Sequence, residues 1–396
     1  MKITFISNYI NHHQIPFSRV LYEKLGTDFA FIQTRPMEKE RVAMGWDEEG
    51  VKLPFVHCLY ENEEKGIALL MECDVLLAGW SEREDLIKKR LSAGGITIRV
   101  SERLYREGQW KFISPRGLIA KYKEHIRYRK KEVYLLCAGA YTASDFHLIG
   151  AYPDKMFQWG YFPETVFYSP EQRESMKAAD GKTHIVWAGR LIPLKHPEYA
   201  LKLAGDLKDM GERFHLHMVG DGEMMGRLKE MVKERNLTAA EVTFYGFCSP
   251  EQVRKVMEQS HLHLFTSNHL EGWGAVVNEA MNSACCVVSN VQVGAAPFLI
   301  EHGKNGMVYK NGSYVHMREA VMYLLTHEDV RREMGEKAYE TITKLWNAEH
   351  AGEEFLRFSN DLVRGRVIPA SAGPLSAAPA ISPGSMYRKM RQGGNV

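Results

Sequence analysis

The stretch HIVWAGRLIPLKH (184–196) decides the fold of this chain, because it joins a short apolar run to a tight glycine turn. A helical stretch follows, and the same succession recurs through the second half of the chain. The later β-rich runs are FHLHMVG (214–220), VTFYGF (242–247), LHLFTS (262–267) and CCVVSN (285–290). Strands that alternate with helices are typical of βα units, which build a parallel sheet.

The first half of the chain shows the same alternation. Its β-rich runs are KITFIS (2–7), DFAFIQT (28–34), CDVLLAGW (73–80) and ITIRVSE (96–102). A chain of 396 residues is long enough for two or three domains of the usual ~100–200 residues. We therefore predict an α/β protein with two Rossmann-like parallel-sheet domains that face each other across a cleft. Open sheets of this kind bind ligands at the carboxyl ends of their strands.

Changes in composition divide the chain. FPETVFYSPEQRESMKAADGK (162–182) is polar and contains two prolines, which predicts a linker between the two domains. We accordingly expect one Rossmann-like domain over 1–165 and a second over 166–345. From residue 367 the chain lacks periodicity and is rich in Ala, Ser, Pro and Gly, so 367–396 is predicted to be a disordered tail.

Overall composition excludes several classes of protein. Lys and Arg total 51 and Asp and Glu total 49, a net charge of +2 that gives no support to nucleic acid as a partner. The six cysteines form no Cys-x-x-Cys pair, which favours a reduced compartment. The N-terminus has no signal-peptide pattern, and no run of ~20 apolar residues occurs. We expect a cytoplasmic location.

Two cations follow the turn at Gly189. Arg190 comes directly after it, and Lys195 follows five residues later. At the carboxyl edge of a sheet these side chains could hold a diphosphate, the arginine by its planar fork and the lysine as a point charge. The alternative is that both are solvated surface charges.

Two glutamates bracket a second glycine turn in FTSNHLEGWGAVVNEAMNSA (265–284). Glu271 precedes Gly272 and Gly274, and Glu279 lies about one turn inside the helix that follows. The exposed amides at the start of a helix favour an anionic ligand. The two acids could contact different parts of one bound molecule, one from the loop and one from the helix. Acids near a helix start are also common caps, so a capping role is the alternative for each.

The order and spacing of five motifs resemble the group 1 glycosyltransferases (glycosyltransferase family four, GT-B fold). The resemblance is strong over roughly 184–345, and its most specific element is the Glu-x7-Glu of EGWGAVVNE. The motifs are AGRLIPLKHPEYALKLAGDL, LHMVGDGEMMGRLKEMV, VTFYGF, SNHLEGWGAVVNEAM and IEHGKNGMVY.

The resemblance implies a nucleotide-sugar donor bound by the second domain. Arg190 and Lys195 would bind the diphosphate, Glu271 the hydroxyls of the donor sugar, and Glu279 the ribose. Glu271, Arg190 and Lys195 would be the catalytic set. The remaining donor-binding positions are Gly189, Phe247, which would lie near the base, and Gly272, Trp273 and Gly274, whose backbone would approach the sugar and phosphates.

The resemblance also implies a chemical class and an architecture. Such enzymes usually retain anomeric configuration, and the leaving phosphate takes the proton of the acceptor. No Asp-x-Asp triplet occurs in the sequence, so neither a metal nor another cofactor is expected. In similar chains a final helix, here 346–366, crosses back to the N-terminal domain. The resemblance further implies a role in the synthesis of cell-surface polysaccharide or glycolipid, with a glycan or lipid-linked acceptor.

Residues of the first domain are candidates for contact with the acceptor. Asn8, His12 and His13 follow the first strand, where they could meet the acceptor or the diphosphate, although Asn8 could equally cap the next helix. The family's glycine-rich turn is absent at this place. Its usual histidine in a later loop is also absent, and Glu102 stands near that position.

The stretch 103–131 contains ten Lys or Arg and only two Glu, interleaved with Trp, Tyr and Phe. A basic amphipathic stretch of this kind can lie on an anionic membrane, which would put the protein on the inner face of the membrane. A solvated helix face is the alternative, and nucleic acid is a weaker one because no RNA-binding signature accompanies the charges.

Two other functions compete with glycosyl transfer. One is epimerisation of a nucleotide sugar by a GT-B isomerase, and the other is non-catalytic binding of a nucleotide sugar or a membrane surface. A dehydrogenase is disfavoured, because the glycines of VGDGEMMG (219–226) have the wrong spacing for a dinucleotide fingerprint. His215 and His217 share a strand face, but ordinary strand histidines are favoured over a metal site because no third ligand lies nearby.

Overall fold

The computed structural model describes residues 1–38 and 49–393. The chain forms two compact units. Unit 1 consists of residues 1–164 and 345–381, and unit 2 consists of residues 165–344 and 382–396. Among the described residues, no helix is long and apolar enough to span a bilayer.

Unit 1 contains a seven-stranded parallel sheet in the order β3-β2-β1-β4-β5-β6-β7. Its strands are β1 (Ile3–Ser7), β2 (Phe29–Gln33), β3 (Val56–Cys58), β4 (Val75–Ala78), β5 (Ile96–Ser101), β6 (Val133–Ala138) and β7 (Met156–Trp159). Every residue of β1, β2, β4 and β6 is buried, as expected of a parallel sheet covered by helices on both faces.

Helices connect these strands. They are α1 (Ile15–Leu25), α2 (Glu63–Glu72), α3 (Glu84–Ala93), α4 (Pro115–Glu124), α5 (Thr142–Leu148) and α14 (Ala348–Val363), with 3₁₀ turns at Gly26–Asp28, Glu49–Lys52, Gln109–Ile113 and Ile126–Tyr128. Local sequence explains several helix ends. Ser114 caps α4 by accepting a hydrogen bond from the Gly117 amide, and Gly94 ends α3 in the left-handed conformation.

Unit 2 contains a six-stranded parallel sheet in the order β10-β9-β8-β11-β12-β13. Its strands are β8 (Thr183–Ala188), β9 (Phe214–Val219), β10 (Val242–Gly246), β11 (Leu262–Phe265), β12 (Cys286–Asn290) and β13 (Gly306–Tyr309). Its helices are α6 (Pro170–Ser175), α7 (Glu198–Asp209), α8 (Met225–Glu234), α9 (Pro250–Gln259), α10 (Val276–Asn282), α11 (Ala296–Leu299), α12 (Tyr314–Thr326), α13 (Glu328–Lys344) and α15 (Pro383–Arg391), with a 3₁₀ turn at Pro193–Lys195.

Strand order locates the ligand-binding edge of each sheet. The order reverses between β1 and β4 in unit 1 and between β8 and β11 in unit 2. Connections leave such a switch point in opposite directions, so a crevice opens at the carboxyl ends of the two central strands. The loops after these four strands are therefore the places where functional side chains are expected.

Helix α14 returns the chain to unit 1 after α13. It packs on α1 so closely that a Cβ at Gly352 would lie 2.5 Å from the Val20 side chain. The Phe355 ring meets the Phe17 ring edge to face, with the centroids 5.5 Å apart. Burial of both rings provides much of the stabilisation of this contact.

The prediction of a disordered tail over 367–396 is wrong for residues 367–393. The amide of Leu375 donates to the Gln158 carbonyl, and the amide of Ala378 donates to the Met156 carbonyl, so the tail pairs with the open edge of β7. The Leu375 side chain is fully buried. An exposed sheet edge offers unpaired amides and carbonyls, and this segment satisfies them. The tail then continues into α15 in unit 2, where Tyr387 stacks on His316.

Candidate active site

The glycines after β8 and β9 allow two loops of unit 2 to touch through their backbones. The Gly189 amide donates to the Val219 carbonyl at 3.0 Å. Gly220 has φ +127°, and a Cβ there would lie 1.9 Å from the Gly189 carbonyl oxygen. No side chain fits at that distance, so the VGDGE glycine is required by backbone packing at this edge.

Lys195 lies at the end of a 3₁₀ turn that is tied to the loop after β11. Its carbonyl accepts a hydrogen bond from the Thr266 hydroxyl at 2.6 Å, and the Asn268 amide donates to the Leu194 carbonyl at 2.9 Å. These bonds join the two loops of the switch point. As a result the Lys195 ammonium forms an ion pair with the Glu271 carboxylate, and each side chain is 15% exposed.

Arg190 differs from Lys195 in its surroundings. It follows Gly189 directly, its side chain is exposed, and it forms no ion pair with any residue in 1–38 or 49–393. The structure therefore brings Lys195 and Glu271 together, and Arg190 follows the same strand without an ion pair to a described residue.

Backbone contacts fix the loop that carries Glu271. The Gly294 amide donates to the Gly272 carbonyl at 3.0 Å, and the Trp273 indole is buried and donates to the Asn278 side chain at 2.8 Å. Gly274 has φ +88°, and a Cβ there would lie 2.7 Å from the Phe265 ring. The Trp273 side chain thus has a packing role, and the predicted approach of this backbone to a donor remains a prediction.

Glu279 lies in the fourth position of α10, whose N-cap residue Ala275 makes no side-chain hydrogen bond. Burial raises the pKa of the Glu279 carboxyl from 4.5 to about 7, and the positive charge of Arg254 partly opposes that shift. Arg254 itself donates to the Asn282 side chain at 2.9 Å. A carboxyl with this pKa changes charge near neutral pH, a property found often at functional sites.

Phe247 follows Gly246 at the end of β10, where the antiparallel bridge from Gly220 to Gly246 brings the β9 and β10 loops together. Its side chain is 59% exposed. A large exposed apolar ring at this edge is consistent with the predicted place near a nucleotide base, and no contact in the structure tests that role.

A cavity of about 610 Å³ lies at the switch point of unit 1. Asn8, His13 and Glu102, three of the candidates for acceptor contact, line it. Asn8 does not cap α1, because the N-cap position is Gln14. The Asn8 side chain instead accepts a hydrogen bond from the Ser7 hydroxyl at 3.2 Å.

A tyrosine that the sequence did not single out connects the candidates. The Tyr161 hydroxyl donates to the Glu102 carboxylate at 2.6 Å, and the Tyr161 ring stacks on His13 at 5.5 Å. The His12 ring lies 3.8 Å from that of His13. Burial and, to a smaller extent, the neighbouring His12 lower the pKa of His13 well below its ordinary value. Its imidazole is therefore neutral at pH 7.

The strand histidines of unit 2 have ordinary structural partners. His217 bonds to the His184 ring at 2.9 Å and to the Tyr245 hydroxyl at 2.8 Å, and His215 bonds to the Ala240 carbonyl and to the Thr243 hydroxyl. Within the described part of the chain, no group of three or more His, Cys, Asp or Glu residues has the geometry to hold a metal ion.

The basic stretch 103–131 forms a mixed apolar and cationic surface on unit 1. Its exposed apolar side chains are Trp110, Ile113, Ile119 and Tyr122. Six of its cations are exposed: Lys131 donates to the Leu91 and Ser92 carbonyls, and the other five are Arg116, Lys123, Arg127, Arg129 and Lys130. None of these five cations forms an ion pair with a residue that the structure describes. We refer to these nine residues as the basic surface.

Residues 169–341 match the family described as "Glycosyl transferases group 1". The match contains Arg190, Lys195 and both glutamates of the Glu-x7-Glu motif.

Similar curated proteins align with less than half of this chain. Poly(ribitol-phosphate) α-N-acetylglucosaminyltransferase of Staphylococcus aureus is 29% identical over 174 residues, 43% of this chain and 34% of that protein. N-acetyl-α-D-glucosaminyl L-malate synthase of Bacillus anthracis is 29% identical over 150 residues, 38% of each chain. The chain thus spans about a third to a half of the length of such relatives.

Similar solved structures cover between 74% and 92% of this chain. HepE of Anabaena, crystallised in complex with UDP, has a TM-score of 0.67 at 14% identity and covers 90% of this chain and 99% of its own. Two parallel-sheet Rossmann-like units and this likeness establish the fold. Residues 169–341 are thus similar to the group 1 glycosyltransferases, and the chain has the GT-B fold.

Proposed function

We propose that this chain is a retaining, metal-independent glycosyltransferase of the hexosyltransferase type. It moves a sugar from a nucleotide-sugar donor to a glycan or lipid-linked acceptor in the synthesis of cell-surface polysaccharide or glycolipid. The observation that carries the proposal is the ion pair of Lys195 with Glu271 at the switch point of unit 2, together with Arg190, which follows the same strand and forms no ion pair with a described residue. The UDP complex of HepE supports a nucleotide ligand for this fold.

The arrangement suits the charge changes of glycosyl transfer. The bond from the sugar C1 to the phosphate oxygen breaks, and a bond from C1 to the acceptor oxygen forms. The acceptor proton passes to the leaving diphosphate, so the products are a glycoside and a nucleoside diphosphate. Negative charge grows on the diphosphate, and Arg190 and Lys195 stabilise it where it develops.

The two glutamates serve different parts of the donor. Glu271 accepts hydrogen bonds from the sugar hydroxyls and holds Lys195 in place through their ion pair. Glu279 contacts the ribose from α10, and Phe247 packs near the base. The backbone of Gly189 and of the loop 272–274 leaves room for the sugar and phosphates. Because no Asp-x-Asp triplet occurs in the sequence, cationic side chains take the place of a metal clamp.

A ligand panel tests the donor. Thermal unfolding of the full chain is measured with nucleoside diphosphates and their sugars, since a ligand at 100 times its Kd stabilises by ~2.7 kcal/mol. We expect a rise in Tm with one base and its sugar conjugates. Transfer is then followed by mass spectrometry with and without EDTA. A panel with no stabilising nucleotide contradicts the proposal, and loss of transfer in EDTA contradicts metal independence.

The two competing functions give different results in the same assays. A nucleotide-sugar epimerase converts its substrate without an acceptor, so incubation with the donor alone produces an isomeric nucleotide sugar. A binding protein is stabilised by the nucleotide sugar but yields neither isomer nor transfer product. Simultaneous presence of Glu271, Arg190 and Lys195 in the matched region favours a catalyst over a binding protein.

We also propose that the basic surface attaches the enzyme to an anionic membrane from the cytoplasmic side. Four exposed apolar side chains and five cations that form no ion pair with a described residue favour an anionic interface over a plain solvated face. Sedimentation with vesicles of phosphatidylcholine alone or mixed with phosphatidylglycerol tests this. We expect binding to the mixed vesicles that falls as salt increases, because salt screens the attraction. Equal binding to both vesicles rejects the proposal.

A further inference from the structure

The cavity of unit 1 has a charge pattern that restricts its ligand. Its volume of about 610 Å³ lies within the range of roughly 300–1,000 Å³ that is usual for small-molecule sites. Four basic side chains among the described residues line it, and each lies within ion-pair distance of a carboxylate. The pairs are Arg99 with Glu84, Arg103 with Asp145, Arg106 with Glu102, and Lys121 with Glu124.

The two most buried of these pairs are held by several hydrogen bonds. Arg99 donates to both carboxylate oxygens of Glu84, at 2.8 and 2.9 Å, in a bidentate arrangement. Asp145 is fully buried and also accepts from the Tyr105 amide and the Gln109 side chain, each at 2.9 Å. Carboxylates held in this way cannot move aside for an incoming anion without leaving a buried charge unpaired, which is costly.

The remaining titratable groups of the lining add no charge at neutral pH. Burial lowers the pKa of both His13 and His125 well below the ordinary value. The positive charges of Arg99, Lys121 and Lys88 lower the pKa of His125 further. Both imidazoles are therefore neutral at pH 7, and the lining with its pairing partners has four positive and four negative groups.

Uncharged polar groups and aromatic rings complete the lining. Asn8, Asn11 and Gln14 bring amides, and Ser7 brings a hydroxyl that bonds with the amides of Asn8 and Gln14 at 3.2 and 3.3 Å. Trp80, which is 61% exposed, also lines the cavity. Amides both donate to and accept from hydroxyl groups, carboxylates accept from them, and an aromatic ring packs against the C–H face of a sugar.

We propose that this cavity binds the acceptor through an uncharged saccharide, so that a neutral sugar ring, and not a phosphate or carboxylate group, occupies it. The proposal rests on the proposed glycosyltransferase function and adds the acceptor class to it. One hydroxyl of this sugar attacks C1 of the donor sugar as the bond from C1 to phosphate breaks. Its proton leaves on the nucleoside diphosphate, so the bound neutral sugar becomes a neutral glycoside.

A glycan array with neutral and acidic saccharides in matched pairs, such as glucosides with glucuronides and galactosides with their 6-phosphates, tests the acceptor class. The full chain is applied with the nucleoside diphosphate that stabilises it. We expect binding to neutral members at least ten times stronger than to their acidic partners. Stronger binding to acidic members, or binding to neither kind, overturns the neutral-acceptor proposal.

Two variants make the test specific to the cavity. Glu102→Gln removes the charge that compensates Arg106, so binding of acidic relative to neutral members should rise about tenfold, which corresponds to ~1.4 kcal/mol. The control is Asp85→Asn. Asp85 is also paired with an arginine of unit 1, Arg83, but neither of these residues lines the cavity. Its ratio should stay at the wild-type value.

Failure of this proposal is distinguishable from failure of the proposed function. Nucleoside diphosphate stabilisation is measured in parallel for both variants and for the wild type. A chain that is stabilised by the nucleotide but selects acidic saccharides remains a glycosyltransferase candidate with a different acceptor class. Equal changes of the acidic-to-neutral ratio in Glu102→Gln and Asp85→Asn would assign the effect to net charge and reject the role of the cavity.

Discussion

The carboxyl edges of the two sheets occupy equivalent topological positions, but they differ in whether their cations are paired with carboxylates. At the switch point of unit 2, Lys195 is paired with Glu271 while Arg190 has no partner among the described residues. At the switch point of unit 1, each of the four lining cations that the structure describes is paired. Strand order thus determines where a site forms, and the loop residues determine its charge. An excess cation suits a diphosphate, whereas a balanced lining suits a neutral sugar.

The largest expected effect is on the unit 2 side of this comparison. Glu271→Gln should lower kcat by ~10²–10³-fold, the scale of losing a well-placed electrostatic group in a transition state. Positive charge grows at the donor sugar, where the proposal places Glu271, so the loss should appear in kcat more than in KM. Steady-state kinetics with the donor found by the ligand panel measures it.

The Glu271 variant requires a folding control because it also removes the partner of Lys195. Thermal unfolding should show a cooperative transition for the variant. Glu340→Gln is the matched control, because it breaks the exposed ion pair of Glu340 with Lys344 on α13. This variant should have wild-type kinetics. A fully active Glu271→Gln enzyme would overturn the assigned role and would strengthen the epimerase and binding-protein alternatives.

Glu279 gives a pH-dependent effect on stability. The pKa of Glu279 is about 7 in the folded chain, whereas its ordinary value, expected in the unfolded chain, is 4.5. Between these two pH values the unfolded chain has released a proton that the folded chain keeps. The free energy of unfolding therefore falls as pH rises through this window, by roughly 3 kcal/mol from this group. Below pH 4.5 the carboxyl is protonated in both states and contributes nothing.

Glu279→Gln removes this dependence. Compared with the wild type, the variant should gain roughly 3 kcal/mol in relative stability between pH 4 and pH 8, measured by urea unfolding at both pH values. The same variant should raise the donor KM with a smaller fall in kcat, because the ribose is remote from the reacting bond. A stability difference that is the same at both pH values would show that Glu279 titrates normally.

The local sequence pattern was sufficient to predict much of the fold and part of the candidate site. Nine predicted β-rich runs are strands, because each combines apolar residues with a following turn or helix signal. Strands β3, β6, β7 and β13 were not predicted. The ion pair of Lys195 with Glu271 joins residues 76 positions apart, and the sequence placed both at one site without predicting their contact.

Features that depend on tertiary neighbours could not be predicted. The tail has the composition of a disordered segment, yet it is ordered because the edge of β7 offers backbone partners near Gln158. The raised pKa of Glu279 results from burial by side chains from other elements. The bond from Tyr161 to Glu102 spans 59 residues and follows from the adjacency of loops at one sheet edge.

Substitution of Arg190 or Lys195 should have a smaller effect, and the two variants should differ in thermal stability. Arg190→Ala and Lys195→Ala should each weaken nucleoside diphosphate binding by ~1.5–3 kcal/mol, the range for hydrogen bonds to charged groups. Lys195→Ala should also lower Tm, because it leaves the partly buried Glu271 carboxylate unpaired, whereas Arg190→Ala should not. Calorimetry and thermal unfolding of both variants measure this contrast. Unchanged affinity in both would remove them from the site.

The smallest expected effect concerns the cations of the basic surface, which do not line the unit 1 cavity. Arg129 belongs to the basic surface and has no ion pair with a described residue, whereas Arg83 is exposed to a lesser extent and is paired with Asp85 and Glu63. Arg129→Gln should weaken binding to vesicles containing phosphatidylglycerol about fivefold, since each cation near an anionic surface contributes ~1 kcal/mol. Arg83→Gln removes the same charge from unit 1 but from a site already neutralised by carboxylates, so its effect should be smaller. Sedimentation at low salt measures both, and at high salt the difference should disappear because the field is screened. Equal losses in the two variants would show that net charge alone, and not the basic surface, determines attraction to the membrane.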